Sequence, residues 1–307
     1  VFDFLAEVTM SILARAKSKD AKMGYATDFV RQLKPILHLI KRDKIKVLSN
    51  AGGINPNACR DILKYVAKES GIELNIATVI GDDLISDLPR IKDLGITEMD
   101  RHNQIPESCL SINAYLGAPG MVQALKEGAD IVITGRCVDS ALVLAPLIYE
   151  FDWAYTDYDF LASGSLAGHI IECGAQCTGG NFTDWKEVEG FHDMGFPIVE
   201  VERNGDFVVS KPNNTGGMIT FGTVAEQFLY EIGNPAEYIL PDVVCDFTNV
   251  TIESIGEDLV QVRGASGSAP TDHYKVSATY KDGYRVTGTL VIGGKKAGEK
   301  GKRIANA

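Results

Sequence analysis

The chain has 307 residues, of which 45% are hydrophobic and 23% charged, and its formal net charge is −11. This length suits about two domains with sizeable cores, and the acidic balance argues against a sequence-independent nucleic-acid binder. Its six cysteines form no disulfide-scaffold pattern, no secretory signal is recognisable, and no apolar run approaches the ~20 residues that span a bilayer. We therefore expect a cytoplasmic protein that binds neither nucleic acid nor membrane.

Both ends of the sequence look cut. Residues 1–5 already have the apolar character of a strand, and residues 295–307 resemble the first turns of a helix. We expect that in the full protein a strand precedes residue 1 and that a helix continues after residue 307.

Strand and helix patterns alternate along residues 1–185. Short apolar runs predict strands at 1–5, 46–49, 74–80, 111–114 and 131–134. Between them, helical spacing or start signals predict helices at 23–42, 56–70, up to 127 and 140–149. Repeated strand–helix units are typical of parallel strands joined by right-handed crossovers. The sequence therefore predicts an α/β fold in which a parallel-rich sheet has flanking helices on both faces.

The pattern changes near Trp185. Short alternating runs follow at 198–202, 207–210, 243–246, 248–254, 259–263, 275–280 and 284–292, with turn signals between them. One helix is predicted at 224–232, with Thr223 as its N-cap and Glu226 completing a capping box. We predict two domains: an α/β domain over 1–185 and a smaller α+β domain with antiparallel strands over 186–307.

Small polar and charged residues lie at the ends of the predicted strands. In an α/β sheet the carboxyl ends of parallel strands meet at one edge, where ligands bind. Each residue alone could be a turn or a helix cap, but their agreement at five strand ends favours a shared cleft. We predict that one cavity is lined by Glu7, Asn50, Gly52, Asp82, Asn113, Arg136 and Asp139.

Arg136 and Asp139 are the charged pair that this pattern favours most. The arginine fork suits a carboxylate or phosphate, and Asp139 could orient it or act as a base. The alternative is that Asp139 caps a helix while Arg136 forms a surface ion pair. On the functional interpretation, we expect Arg136→Ala to leave the fold intact.

Two other strand ends allow ligand interpretations. The glycines Gly52 and Gly53 expose N–H groups ahead of a helix, as in loops that hold phosphate or carboxylate groups. Asp82 and Asp83 could bind a hard cation, although two acidic residues after a strand more often cap the following helix.

A glycine-rich segment at 164–181 carries the densest set of polar side chains. His169 and Glu172 are candidates for acid–base catalysis, and Asn181 is a candidate for binding substrate. His169 could also join Cys173 and Cys177 in a zinc site, but the glycines argue against the regular helix that this would need. We predict a glycine-rich loop or broken helix over the cavity, with His169 or Glu172 near Arg136.

These motifs together resemble the acyclic terpene utilisation (AtuA) family. The matching segments lie at 5–10, 24–29, 50–56, 81–84, 113–117, 134–139, 168–175, 178–182, 211–217 and 229–232. They span essentially the whole chain, although the glycine-rich opening strand and loop typical of the family, and its helix after the last strand, are missing. The resemblance implies a role in the catabolism of branched acyl compounds, in which a lyase step on a branched hydroxyglutaryl-CoA-type thioester has been proposed.

Together these observations predict an enzyme that acts on a small-molecule carboxylate or acyl-CoA by C–C lyase or hydratase chemistry. Its candidate catalytic residues are Glu7, Asp139, His169 and Glu172, and its candidate substrate-binding residues are Asn50, Gly52, Gly53, Asn113, Arg136 and Asn181. The alternative is a non-catalytic acyl-CoA-binding or partner-binding subunit of a catabolic complex. We expect a homo-oligomer; the sequence leaves the cofactor unknown, and a divalent metal at Asp82 and Asp83 stays open.

Overall fold

A computed structural model describes residues 1–306 of the chain. The helices are α1 (Glu7–Lys19), α2 (Thr27–Leu33), α3 (Leu37–Arg42), α4 (Pro56–Glu69), α5 (Leu88–Asp93), α6 (Pro119–Lys126), α7 (Ala141–Phe151), α8 (Tyr158–Glu172), α9 (Phe221–Leu229) and α10 (Ala297–Ala305). The strands are β1 (Val47–Ser49), β2 (Ile76–Val79), β3 (Ser111–Ala114), β4 (Ile131–Thr134), β5 (Ile198–Val201), β6 (Phe207–Ser210), β7 (Tyr238–Ile239), β8 (Val244–Asp246), β9 (Thr251–Gly256), β10 (Leu259–Arg263), β11 (Ser266–Ser268) and β12 (Val276–Thr279). Within residues 1–306, no helix is both long and apolar enough to cross a bilayer.

A parallel sheet with the order β1-β4-β2 organises the first half of the chain. Its central strand β4 is buried on both faces, because side chains alternate across a strand. Ile131 and Ile133 pack into the hydrophobic cluster formed with α2, α3 and α4, whereas Val132 packs into the cluster formed with α6, α7 and α8. The predicted α/β fold is thus confirmed, with helices covering both faces of the sheet.

Antiparallel sheets form most of the second half. One has the order β5-β6-β10-β9 and the other the order β11-β8-β7. In β6, Phe207 and Val209 are buried while the residues between and after them are not, which is the alternation expected of a sheet covered on one face. This confirms the predicted α+β part with antiparallel strands.

The two halves of the chain share structure across residue 185. Strand β12 pairs antiparallel with β3 of the first half. Leu48 and Val132 of the parallel sheet also belong to the same hydrophobic cluster as Phe207 and Val260 of the antiparallel sheet. The division into domains at residue 185 stays a prediction.

Helix α8 corrects the prediction of a glycine-rich loop or broken helix at residues 164–181. The helix is regular through Glu172, and its residues from Leu161 to Ile170 are buried. Its glycines allow close packing, since a Cβ on Gly168 would lie 2.6 Å from the carbonyl oxygen of Ser140 and 2.7 Å from its Cα. The irregular turns predicted for the whole segment begin only after the helix, at residue 173.

We expect Gly168→Ala to lower the free energy of unfolding by about 1–3 kcal/mol, because the added methyl group would meet the backbone of Ser140, the N-cap residue of α7. Gly301→Ala in α10 is the matched control. Its added Cβ would make only an ordinary contact with Ile292, at 3.8 Å. Chemical denaturation of both variants checks this, and equal stability of Gly168→Ala and the wild type would show that α8 does not pack this closely.

Four predicted elements differ from the structure. The strand predicted at 1–5 is reduced to an isolated parallel bridge between Phe2 and Ser49. The helix predicted at 23–42 is interrupted by a 3₁₀ turn at Lys34–Ile36, because Pro35 supplies no N–H for a continuous helix. Helix α9 begins earlier than predicted, so that Thr220 is its N-cap and Thr223 supplies the other half of the capping box. The strand predicted at 284–292 does not form among the residues described.

Candidate functional site

The carboxylate of Asp82 joins three strand ends. Its Oδ2 accepts hydrogen bonds from Asn113 Nδ2 at 2.8 Å and from the backbone amide of Arg136 at 2.8 Å. A Cβ on Gly135 would collide with this carboxylate, so the glycine permits the close approach. Burial raises the pKa of Asp82, and the two donors oppose the shift. The ends of β2, β3 and β4 are therefore held together by one buried acid.

The acidic pair at the end of β2 is engaged within the protein. Asp83 Oδ1 accepts the backbone amide of Ile85 at 3.0 Å, so it caps the turn that follows. Within residues 1–306, no group of three or more His, Cys, Asp and Glu side chains is placed to hold a metal ion. The geometry thus gives Asp82 and Asp83 structural partners.

The side chains around these strand ends form what we call the polar cluster: Asp3, Glu7, Asp82, Asn113, Tyr115, Arg136, Asp139 and Lys275. Arg136 lies at its centre and is only 3% exposed. Its Nη1 donates to the carbonyl of Leu5 at 3.0 Å and to Asp139 Oδ1 at 2.8 Å, and its guanidinium carbon lies 4.0 Å from the centroid of the Tyr115 ring. Burial disfavours the charge, but Asp139 and Tyr115 outweigh it and raise the pKa of Arg136 above its usual value. Its buried Nε has no hydrogen-bond partner within residues 1–306. The site therefore holds a fixed positive charge with one unused donor.

Burial raises the pKa values of two carboxyl groups near Arg136. Burial and the nearby charge of Asp3 raise the pKa of Asp139 to about 7, although Arg136 opposes the shift. Burial likewise raises the pKa of Asp3 to about 6, although hydrogen bonds from Asn50 Nδ2 and the amide of Leu5 favour its ionised form. The Asp139 side chain is 28% exposed, so a solute can reach it. Carboxyl groups with such pKa values suit general acid–base catalysis.

We expect the raised pKa of Asp3 to make stability fall as pH rises. The folded protein binds the proton up to about pH 6, whereas the ordinary value for Asp is 3.8. Stability from this group is therefore full below pH 3.8 and is lost as pH rises through about 6. Asp3→Asn should flatten the decline between pH 4.5 and 7 by about 1–2 kcal/mol. Asp28→Asn, which removes an exposed partner of Arg31, is the control, and urea unfolding at several pH values is the measurement. A slope unchanged in Asp3→Asn would contradict the assignment.

A second constellation adjoins Arg136 through the ring of Tyr115. The Tyr115 hydroxyl donates to Glu7 Oε1, and Lys275 Nζ lies 3.7 Å from the same oxygen and 4.8 Å from the ring centroid. The hydrogen bond from Tyr115 lowers the pKa of Glu7. Lys275 is held here because its carbonyl accepts the amide of Tyr115 at 3.0 Å, next to the pairing of β12 with β3.

His169 and Glu172 form a buried pair on α8. His169 Nδ1 lies 3.2 Å from Glu172 Oε1, and its Nε2 lies 3.0 Å from the carbonyl oxygen of Gln227. Burial lowers the pKa of His169, but Glu172 outweighs this and the net shift is upward. Burial raises the pKa of Glu172, and the charge of Asp139 adds to the shift. Both ring nitrogens of His169 thus lie within reach of a protein partner.

The relation of this pair to Arg136 is indirect. Among the hydrogen bonds of residues 1–306, none joins Arg136 to His169 or Glu172. Glu172 instead raises the pKa of Asp3 through its negative charge. His169 and Glu172 therefore make no direct hydrogen bond to Arg136, and the charge of Glu172 acts instead on the pKa of Asp3.

The remaining predicted residues lie in two other places. Gly52 and Gly53 form the turn after β1, where the amide of Gly53 donates to the carbonyl of Asn50 at 3.1 Å. Asn181 lines a separate cavity of about 250 Å³, whose other lining residues are Gln176, Phe182, Thr223, Glu226, Gln227, Leu229 and Tyr230. A further cavity of about 370 Å³ is lined by residues between Glu187 and Asp258. Arg136 lines neither of them, and the single cavity predicted from the strand ends stays a prediction.

The sequence reasoning missed three residues of the cluster. Asp3 interrupts an apolar run, and an acid in a predicted strand could have drawn attention to it. Tyr115 follows Asn113 by two residues at the end of a predicted strand, but nothing local indicates its contact with Arg136. Lys275 has no local signal, because only the pairing of β12 with β3 brings it to the site.

Comparison with known proteins gives one assignment. The model of the family described as acyclic terpene utilisation family protein AtuA matches residues 1–307, the whole chain. No curated protein and no solved structure matches the chain significantly. The match associates the chain with acyclic terpene utilisation. The chain belongs to the AtuA family.

Proposed function

We propose that the chain is an enzyme of branched acyl catabolism that acts on a carboxylate or acyl-CoA thioester by C–C lyase or hydratase chemistry. The observation that carries this proposal is the pairing of Asp139 with Arg136 at 2.8 Å, next to the ends of the parallel strands. Asp139 is reachable from solvent, and burial raises its pKa to about 7. An acid–base group and a fixed cation in contact are what both reaction types require.

In the lyase reaction Asp139 would take the proton of a substrate hydroxyl group. The C–C bond beside the hydroxyl carbon then breaks, and the hydroxyl carbon becomes a carbonyl. The bonding electrons move to the α-carbon of the departing carboxylate or thioester fragment, whose enolate is protonated to complete the reaction. The positive charge of Arg136 would stabilise the oxyanion that develops beside Asp139.

In the hydratase reaction the same carboxyl group would take a proton from water while the water oxygen adds to the β-carbon of a C=C bond conjugated with the carbonyl group. The π electrons move to the α-carbon as an enolate, and the carboxyl group returns the proton there; dehydration is the reverse. Arg136 would again favour the enolate form. Asp3 supports both reactions by its negative charge, which helps to keep the pKa of Asp139 high. The common element is the proton held at Asp139.

The test is turnover by the purified chain. It would be incubated with a panel of branched hydroxyglutaryl-CoA thioesters and the corresponding free acids, and products would be identified by mass spectrometry. Cleaved fragments indicate a lyase, and loss or gain of water indicates a hydratase. If the folded chain turns over no member of the panel alone but supports turnover by an added partner enzyme, the non-catalytic subunit is favoured instead.

A further inference from the structure

Glu7 is held as a bound carboxylate would be held. It is the first residue of α1, and its side chain is 60% exposed. Nevertheless its Oε1 accepts the hydroxyl of Tyr115 and lies 3.7 Å from Lys275 Nζ. One oxygen of this exposed carboxylate thus contacts both a hydroxyl donor and an ammonium group. The same two groups are suited to bind the carboxylate of a ligand.

The groups that hold Glu7 are better fixed than Glu7 itself. Tyr115 is buried, and its ring lies against the guanidinium of Arg136. Both Arg136 and Lys275 lie close to this ring, at 4.0 Å and 4.8 Å from its centroid, and burial raises the pKa of Tyr115, so its hydroxyl keeps the proton that it donates. Lys275 is 58% exposed, so its ammonium group can also meet a solute. The donors therefore form a preorganised pair, whereas their present acceptor is a side chain in solvent.

We propose that the Tyr115 hydroxyl and Lys275 Nζ form a carboxylate-binding subsite that Glu7 occupies when no ligand is bound. This deepens the proposed function, on which it rests, because it assigns a place to the carboxylate of the substrate beside Arg136. Glu7 is then a self-ligand that the substrate displaces. The lowered pKa of Glu7 agrees with this role, since it keeps the side chain anionic and makes it a poorer base at neutral pH than Asp139.

The experiment measures glutarate binding by titration calorimetry, with the uncharged dimethyl ester of glutarate as the ligand control. Glu7→Gln removes the competing charge and should bind glutarate roughly three- to tenfold more tightly than the wild type. Lys275→Gln should bind it roughly tenfold more weakly. Tyr115→Phe should also weaken glutarate binding. Because Tyr115 is buried, the melting temperature of this variant must be compared with that of the wild type. Lys275 is exposed, so the Lys275→Gln variant keeps the test independent of folding.

Matched controls come from other exposed groups. Glu107→Gln removes a carboxylate paired with Lys92 at 2.7 Å, and Lys281→Gln removes an ammonium group 5.2 Å from the ring of Tyr284. Neither should change glutarate affinity. The proposal is overturned if Glu7→Gln binds glutarate no better than the wild type or if the diester binds as well as glutarate. It is also overturned if neither the wild type nor Glu7→Gln binds glutarate.

The outcome is separable from that of the proposed function. Asp139→Asn should retain glutarate binding, because Asp139 holds the proton and not the carboxylate. Glutarate binding with the expected variant pattern, but no turnover of any thioester, would keep the subsite and remove the catalytic proposal. Turnover that depends on Asp139, together with unchanged glutarate affinity in Glu7→Gln, would keep the catalytic proposal and remove the subsite.

Discussion

Asp139→Asn is expected to lower kcat/KM by about 10²- to 10⁴-fold, the usual effect of removing a general acid–base group. The amide keeps the size of the side chain and can still accept from Arg136, but it cannot take a proton. For the wild type, kcat/KM should rise with pH through about 7, because Asp139 acts in its ionised form and its pKa is raised to about 7. The variant should show a low rate without this rise.

The control for this result is Asp28→Asn, whose carboxylate pairs with Arg31 away from the cluster. Kinetics would be compared across pH 5–9 on whichever thioester the panel identifies. Wild-type activity in Asp139→Asn, or a wild-type profile without an inflection near neutral pH, would remove Asp139 from the reaction.

Arg136→Ala is expected to impair both activity and folding. Loss of a desolvated cation that pairs with an anionic group should weaken ligand affinity or transition-state stabilisation by about 2–5 kcal/mol. The structure changes the expectation of an intact fold, because Arg136 is buried and its Nη1 satisfies both Leu5 and Asp139. Breaking such a pair should cost about 2–3 kcal/mol of unfolding free energy, somewhat less than for a fully buried pair.

The pH dependence distinguishes this loss from simple loss of packing. Without Arg136 the pKa values of Asp3 and Asp139 rise further, since its charge had lowered both. At pH 6 the two acids are then protonated, and burying them lowers the free energy of unfolding only slightly. At pH 8 they are charged and lack their cationic partner. The destabilisation measured by urea unfolding should therefore be larger at pH 8 than at pH 6.

Arg203→Ala is the matched control for Arg136→Ala. The exposed guanidinium of Arg203 makes the same two kinds of contact, with the ring of Phe151 at 5.6 Å and with its carbonyl oxygen at 2.6 Å. Its removal should leave activity unchanged. Arg136→Lys should rescue poorly, because an ammonium group cannot reproduce the planar fork. Full activity of Arg136→Ala would contradict a role for this residue.

The elements that follow from local pattern were predictable from the sequence. The buried runs of β1 and β4 and the alternating run of β6 appear where periodicity places them. Arg136 and Asp139 were paired from their spacing of three residues across a strand end and a helix start, and the structure places them 2.8 Å apart.

The features that the sequence did not predict depend on contacts between residues distant in sequence. The glycines of α8 predict a loop when only local conformational freedom is considered, but Gly168 is needed because another helix approaches it closely. Lys275 reaches Tyr115 only through strand pairing with the other half of the chain. The high pKa of Asp139 likewise depends on burial and on Asp3, which no local pattern reports.

The central claim is that Asp139 holds a proton near neutral pH beside a fixed cation. The most direct measurement is a ¹³C NMR titration of the protein labelled at its aspartate carboxyl carbons, compared with the same titration of Asp139→Asn. The account predicts one resonance that titrates at about pH 7 and is absent from the variant, while the resonance of Asp3 titrates near pH 6 in both proteins, because Asp139 is still protonated when Asp3 ionises. Titration of every aspartate below pH 5 in the wild type would contradict the account.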